Sequence, residues 1–209
     1  MLLKNFYLEN CNGISARHTG TTYGYDIPRN ITFENITLKN PRTTVKVGGY
    51  KIKVKGLNIL NCEMNSPAIS IEPNAKDITI EKVKIRGLKK EFIKNFGSNQ
   101  CDITIKDCIV ITYDSPCWIN VIYLRDGIQN VTIENVTISN VRSYSAIGLL
   151  NVSNIVIRNC TISFNSTSSA KYGIWINSSI NVTIEDAKMF GEPLYDTIAV
   201  KDSADIIIK

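Results

Sequence analysis

The stretch NVTIENVTI, residues 130–138, alternates apolar and polar side chains twice, with Asn135 standing between the two runs. Val131 and Ile133 share one face of an extended chain, and Val136 and Ile138 resume that face after the asparagine. Period-two alternation rich in β-branched residues marks a strand with one buried face. The phrase returns as NITFENITL (30–38), DITIEKVKI (77–85), DITIKDCIV (102–110), NIVIRNCTI (154–162) and NVTIEDAKM (181–189). Weaker copies start at Asn5 and Gly56, and the chain stops inside a last one, DIIIK. The period is about 21–28 residues, which is the signature of a solenoid.

With the first residue of each copy numbered zero, position one reads Phe6, Ile31, Leu57, Ile78, Ile103, Val131, Ile155, Val182 and Ile206. Position three reads Leu8, Phe33, Ile59, Ile80, Ile105, Ile133, Ile157, Ile184 and Ile208. Position five is a corner of Asn, Asp or Lys, too short to reverse the chain into a hairpin. A third apolar stretch lies between most copies, as in AISI (68–71), AIGLL (146–150), GIWI (173–176) and TIAV (197–200). Three short strands per turn, each stacking on its equivalent in the next turn, make an all-β parallel β-helix of about eight to nine rungs. A leucine-rich-repeat horseshoe fits less well, because no Leu-rich consensus or helical segment intervenes.

The repeated strand-Asn-strand phrase resembles the right-handed parallel β-helices of the pectin-lyase-like superfamily over nearly the whole chain. The resemblance implies a right-handed coil, an asparagine ladder at position five and a functional site on the third strand. Asn35, Asn135 and Asn159 would then be ladder residues, buried in the stack.

Residues 1–209 read as a single domain, with no linker and no shift of composition. No apolar run is long enough for a membrane span or a secretory signal peptide. The net charge is +5 with both signs interspersed, and no clustered Lys and Arg with interleaved aromatics point to nucleic acid. Cys11, Cys62, Cys108 and Cys160 fall at position six on alternate rungs. Two rungs separate such residues by about 9.6 Å, beyond the ~7 Å reach of a disulfide, so these thiols should be free core residues. Cys101 and Cys117, outside that series, should be free as well, and no cysteine has metal-ligand spacing.

Nine Asn-x-Ser/Thr sequons occur. A corner Asn followed by an outward Thr creates this pattern automatically. Asn151, Asn165 and Asn177, placed in loops, are the candidates for glycosylation of an extracellular or surface-associated protein.

The pectinolytic hydrolases implied by the resemblance carry an Asn-Thr-Asp motif, an Asp-Asp pair and a His-Gly pair, and none occurs in this chain. Asp26 and Glu72 are the nearest carboxylates on the third strand, two rungs apart. A lyase would need a Ca²⁺-binding acid cluster with an Arg or Lys base; Arg125 with Asp126, and Lys201 with Asp202, supply parts of that set. His18, the only histidine, stands in a loop beside Arg17 without a nucleophile motif. No cofactor is called for, with Ca²⁺ entering only under the lyase alternative.

Tyr123 and Trp175 alternate with inward residues, so both rings should face outward, where flat aromatic surfaces hold sugar faces or pack on a partner. Both ends of the chain fall on strands, which expects either a segment of a longer protein or open ends that stack on other copies. The reading is therefore a structural or adhesive β-helix, a fibre, spike or appendage subunit, with carbohydrate on the Tyr123 and Trp175 face. Its alternative is a lyase or hydrolase of acidic polysaccharide. Whether the chain is an enzyme stays open here, and the missing catalytic pairs weigh against it.

Overall fold

The structure is a computed structural model that describes residues 1–16, 28–42, 44–62, 66–97, 100–112, 117–165 and 169–209, the side chains of Cys117 and Trp118 excepted. His18, Arg17 and Asp26 lie outside the described residues. Three parallel sheets run the length of the molecule. The first stacks nine strands from Leu2–Lys4 to Ala204–Ile208, the second eight from Tyr7–Glu9 to Lys188–Phe190, and the third eight from Ser15–Ala16 to Asp196–Lys201. Eight three-strand rungs and a ninth opening strand thus wind a right-handed parallel β-helix. Among the described residues there is no helix, and none long and apolar enough to cross a membrane.

One rung shows why the chain coils. In Gln129–Glu134, Val131 and Ile133 point inward and are buried, while Thr132 and Glu134 face out. Thr137–Val141 buries Ile138, and Ser143–Leu150 buries Ile147 and Leu149. Three inward pairs fill the narrow interior, and each residue stacks on its equivalent one rung away, as Ile105, Ile133 and Ile157 do. Burying each such side chain is worth about 1.5–3 kcal/mol.

The corners are backbone devices. Asn130 and Asn135 both adopt left-handed dihedrals (φ 56° and 52°), a region closed to most L-residues and open chiefly to Gly, Asn and Asp. Position zero is therefore a corner in its own right, recurring at Asn30, Lys51, Asp77, Asp102, Asn154, Asn181 and Asp205. A third left-handed column, Asn10, Asn40 and Asn61, closes the second sheet. Each of these three columns carries a ladder. Asn130 Nδ2 donates to Asp102 Oδ1 (3.0 Å) and Asn154 Nδ2 to Asn130 Oδ1 (3.0 Å). Asn135 Nδ2 donates to Asp107 Oδ1 (3.1 Å), and Asn61 Nδ2 to Asn40 Oδ1 (3.0 Å). The ladders run along solvent-facing edges rather than inside the stack. Asn35, Asn135 and Asn159 are exposed, a correction to the buried ladder expected for them.

Strand pairing also corrects the phase of the two weak copies. Ile31 and Phe33 pair with Ile52 and Val54, and Leu38 with Ile59. The copies beginning at Asn5 and Gly56 are therefore second strands, and the first strands of those rungs are Leu2–Lys4 and Tyr50–Lys55. The error arises because first and second strands share one local pattern and Lys51 stands where other rungs have Asn or Asp. Gly56 is the corner partner of Asn35, and a Cβ there would lie 2.6 Å from Asn35 Oδ1. Once the phase is corrected, position four reads Lys4, Glu34, Lys55, Glu81, Lys106, Glu134, Arg158, Glu185 and Lys209, a strict alternation of charge.

The cysteines split accordingly. Cys108 and Cys160 share one inward column with Val136 between them, whereas Cys11 and Cys62 follow the third corner, five residues further along. Cys11, Cys62, Cys101, Cys108 and Cys160 are all free. Burial pushes the Cys62 and Cys108 thiols up to about 12.

Candidate functional site

The outer face of the third sheet gathers the side chains that the fold does not need for its core. Its middle column reads Lys46, Ser70, Lys94, Tyr123, Gly148, Trp175 and Ala199, one residue per rung. Inward Ile69 and Ile71, Ile122 and Leu124, Ile147 and Leu149, and Ile174 and Ile176 flank that column and anchor it. Tyr123 and Trp175 are thus both on the outer face, half-buried.

Trp175 is one ring of a group. Its indole meets Tyr144 edge-on (centroids 5.7 Å apart), Tyr144 meets Tyr172 edge-on (5.4 Å), and Tyr172 lies tilted against Tyr195 (5.8 Å). Lys171 Nζ sits 5.2 Å from the Tyr144 ring centroid and 5.9 Å from that of Tyr195. These are favourable ring and cation–π arrangements. Tyr144, Tyr172, Tyr195 and Lys171 were missed in the sequence because they stand where third-sheet strands begin. The available signal was their rung-like spacing, with Tyr144 and Tyr195 flanking Lys171 in one column.

Two rungs earlier, Tyr123 has Lys94 Nζ at 5.8 Å and the Arg125 guanidinium at 5.7 Å. Gly148 separates Tyr123 from Trp175, and any side chain there would collide with the Asn120 amide. Asn120 is buried and accepts a 2.6 Å hydrogen bond from Ser145 Oγ. The two rings are therefore two rungs apart, about 9.6 Å, across a gap floored by an amide. Further toward the N-terminus the face carries Glu91 with Lys94 (2.9 Å) and Ser70 Oγ donating to Glu72 (2.7 Å). A hollow of about 370 Å³ between Lys46, Ser70, Glu72 and Phe96 continues it.

The groups of the enzymatic alternative stand apart. Arg125 and Lys201 occupy one column with Leu150 and Asn177 between them, which is three rungs or about 14 Å. Arg125 contacts its own neighbour Asp126 (2.9 Å), and Lys201 contacts Asp202 (4.0 Å). The Arg125 backbone is clamped by the buried Asn95, whose Oδ1 accepts from the Arg125 N–H (2.8 Å) and whose Nδ2 donates to its carbonyl (2.7 Å). Among the described residues no three His, Cys, Asp or Glu side chains are grouped to hold a metal ion.

Of the sequon candidates, Asn151 is exposed at a left-handed corner (φ 53°), while Asn165 and Asn177 are half-buried.

Residues 116–209 match the family described as right handed beta helix region. No curated protein matches the chain. The family match and the three parallel sheets agree on the β-helix, consistent with the pectin-lyase-like resemblance.

Proposed function

We propose that this β-helix is an extracellular or surface-displayed structural or adhesive element that holds carbohydrate on the outer face of its third sheet. The observation that carries the reading is the aromatic group of Trp175, Tyr144, Tyr172 and Tyr195, with Tyr123 across the Gly148 gap. Flat rings at rung spacing offer stacking platforms to a linear sugar chain, and the Lys94 side chain and the Asn120 amide that floors the gap offer hydrogen bonds. The rigid coil fixes those platforms, so little ordering cost falls on binding.

The test is a glycan-binding screen of the purified chain against its Trp175→Ala variant. A loss of at least tenfold in affinity for the best ligand is expected; unchanged binding would place the site elsewhere. Occupied sugar at Asn151, read by mass spectrometry of protein from a secreting host, would support the extracellular setting. End-to-end association belongs to this proposal too, but an in-register head-to-tail stack would set Lys209 against Lys4. Solution mass should therefore show association weakening at low salt if that geometry is used.

A second reading, a lyase or hydrolase of acidic polysaccharide, is favoured by the clamped Arg125 backbone alone. Unsaturated or reducing sugar ends released by the chain and lost in Arg125→Ala would establish it.

A further inference from the structure

Where the third sheet turns into the first, the residue before each left-handed corner faces outward. On five successive rungs these residues are Arg29, Tyr50, Lys76, Cys101 and Gln129, paired one to the next. They line a straight groove of about 680 Å³, away from the Trp175 face. Arg29 and Lys76 are exposed, and among the described residues neither has a carboxylate within ion-pair distance. That sets them apart from most cations of the position-four column, where Lys55, Lys106, Arg158 and Lys209 each have a glutamate partner. Tyr50 stands between them, 41% exposed, with Lys51 Nζ 5.1 Å from its ring centroid. Asp77, next to Lys76 in sequence, and Asp102, one rung on, belong to the neighbouring corner column. Asp102 there accepts a hydrogen bond from Asn130 Nδ2 (3.0 Å), which lowers the pKa of its carboxyl, and the Lys76 charge helps to lower it.

The groove thus presents cation, aromatic ring, cation on three successive rungs. Arg29 and Lys76 are two rungs apart, about 9.6 Å, close to the length of two sugars in an extended chain. We infer that this corner is a second binding site, for a linear glycan carrying carboxylate or sulfate on alternate residues. A neutral sugar would lie on the Tyr50 ring while its anionic neighbours meet Arg29 and Lys76. Gln129 offers an amide further along the same line. The site is independent of the Trp175 face in every residue.

The probe is a hyaluronan hexasaccharide, whose carboxylates fall on alternate sugars, titrated calorimetrically into the full chain beside uncharged cellohexaose. In the Trp175→Ala variant, which takes the third-sheet face out of the reading, binding of the first and not the second is expected, weakening as salt rises. Arg29→Gln with Lys76→Gln should lower the affinity at least tenfold, Tyr50→Ala should lower it several-fold, and Trp175→Ala should leave it unchanged. Both cations are on the surface, so circular dichroism should show these variants folded; Arg29→Glu with Lys76→Glu, which reverses the charge, should abolish binding. Cys101, half-buried in the groove, serves as a local reporter. Bound hexasaccharide should slow its alkylation, read on its own peptide, without slowing that of Cys11. No binding of the hexasaccharide, unchanged affinity in the double variants, or equal affinity for cellohexaose in the Trp175→Ala variant would overturn the site. Tighter binding of anionic vesicles or single-stranded RNA through the same residues would overturn the glycan assignment. Loss of binding in Trp175→Ala but not in the corner variants would return the ligand to the third-sheet face.

Discussion

Lys82 shows what the corners cost residue by residue. It holds φ at 54° in a column otherwise made of Asn, Asp and Gly56, and left-handed backbone costs an ordinary side chain roughly 1–2 kcal/mol. Lys82→Asn should therefore raise stability by about 0.5–1 kcal/mol, seen as a higher urea midpoint at unchanged slope. Asn135→Ala should lower it by about 1–2 kcal/mol, since it loses both the tolerance for this conformation and the bond to Asp107. At this scale the sequence was informative: Asn and Asp at fixed offsets announced the corners. It was silent on Lys51, because a lysine carries no signal of a left-handed backbone, and the phase of the Gly56 copy slipped for that reason; Lys82 was placed at its corner by its offset alone.

Along one element, the outer edge of the first sheet, charge alternates rung by rung. Glu81 is the most enclosed member, held between Lys53 (3.1 Å) and Lys106 (3.4 Å) with its side chain 8% exposed. Burial by itself would raise its carboxyl, but hydrogen bonds and charge from the two lysines outweigh that and hold it below the ordinary value of 4.5. A folded value below the unfolded one means the stabilisation is present above about pH 4.5 and disappears as pH falls through the lower folded value. Unfolding midpoints of the native chain should therefore fall as pH drops below that range. Glu81→Gln should be about 1–2 kcal/mol less stable at pH 7 and lose less on acidification. A variant with the same acid slope as the parent would show that other carboxylates carry it.

For the whole molecule, stability is a sum over rungs and the interfaces between neighbours. Central strands such as Gln129–Glu134 are covered on both sides, while Ile207 and Ile208 of the last strand are about half exposed (47% and 54%). Amide exchange should be slowest at Val131–Ile133 and fastest at Ile206–Ile208. Ile133→Ala should cost about 2–4 kcal/mol, and Ile207→Ala close to nothing; equal costs would mean that the last strand is covered in solution.

The sequence by itself determined the coil: its period, its inward-facing positions and its three-strand rung are all local alternations, readable without knowing what stacks on what. The outward positions of Tyr123 and Trp175 were legible for the same reason. Only the tertiary structure decided which residues share a column, because loops of unequal length separate the copies and an error of five residues leaves the local pattern intact. Column membership is what creates the Lys–Glu alternation, the ring group around Trp175 and the groove at Arg29, Tyr50 and Lys76. Each joins residues more than twenty positions apart in sequence, brought together by hydrogen bonds between rungs that no local alternation encodes.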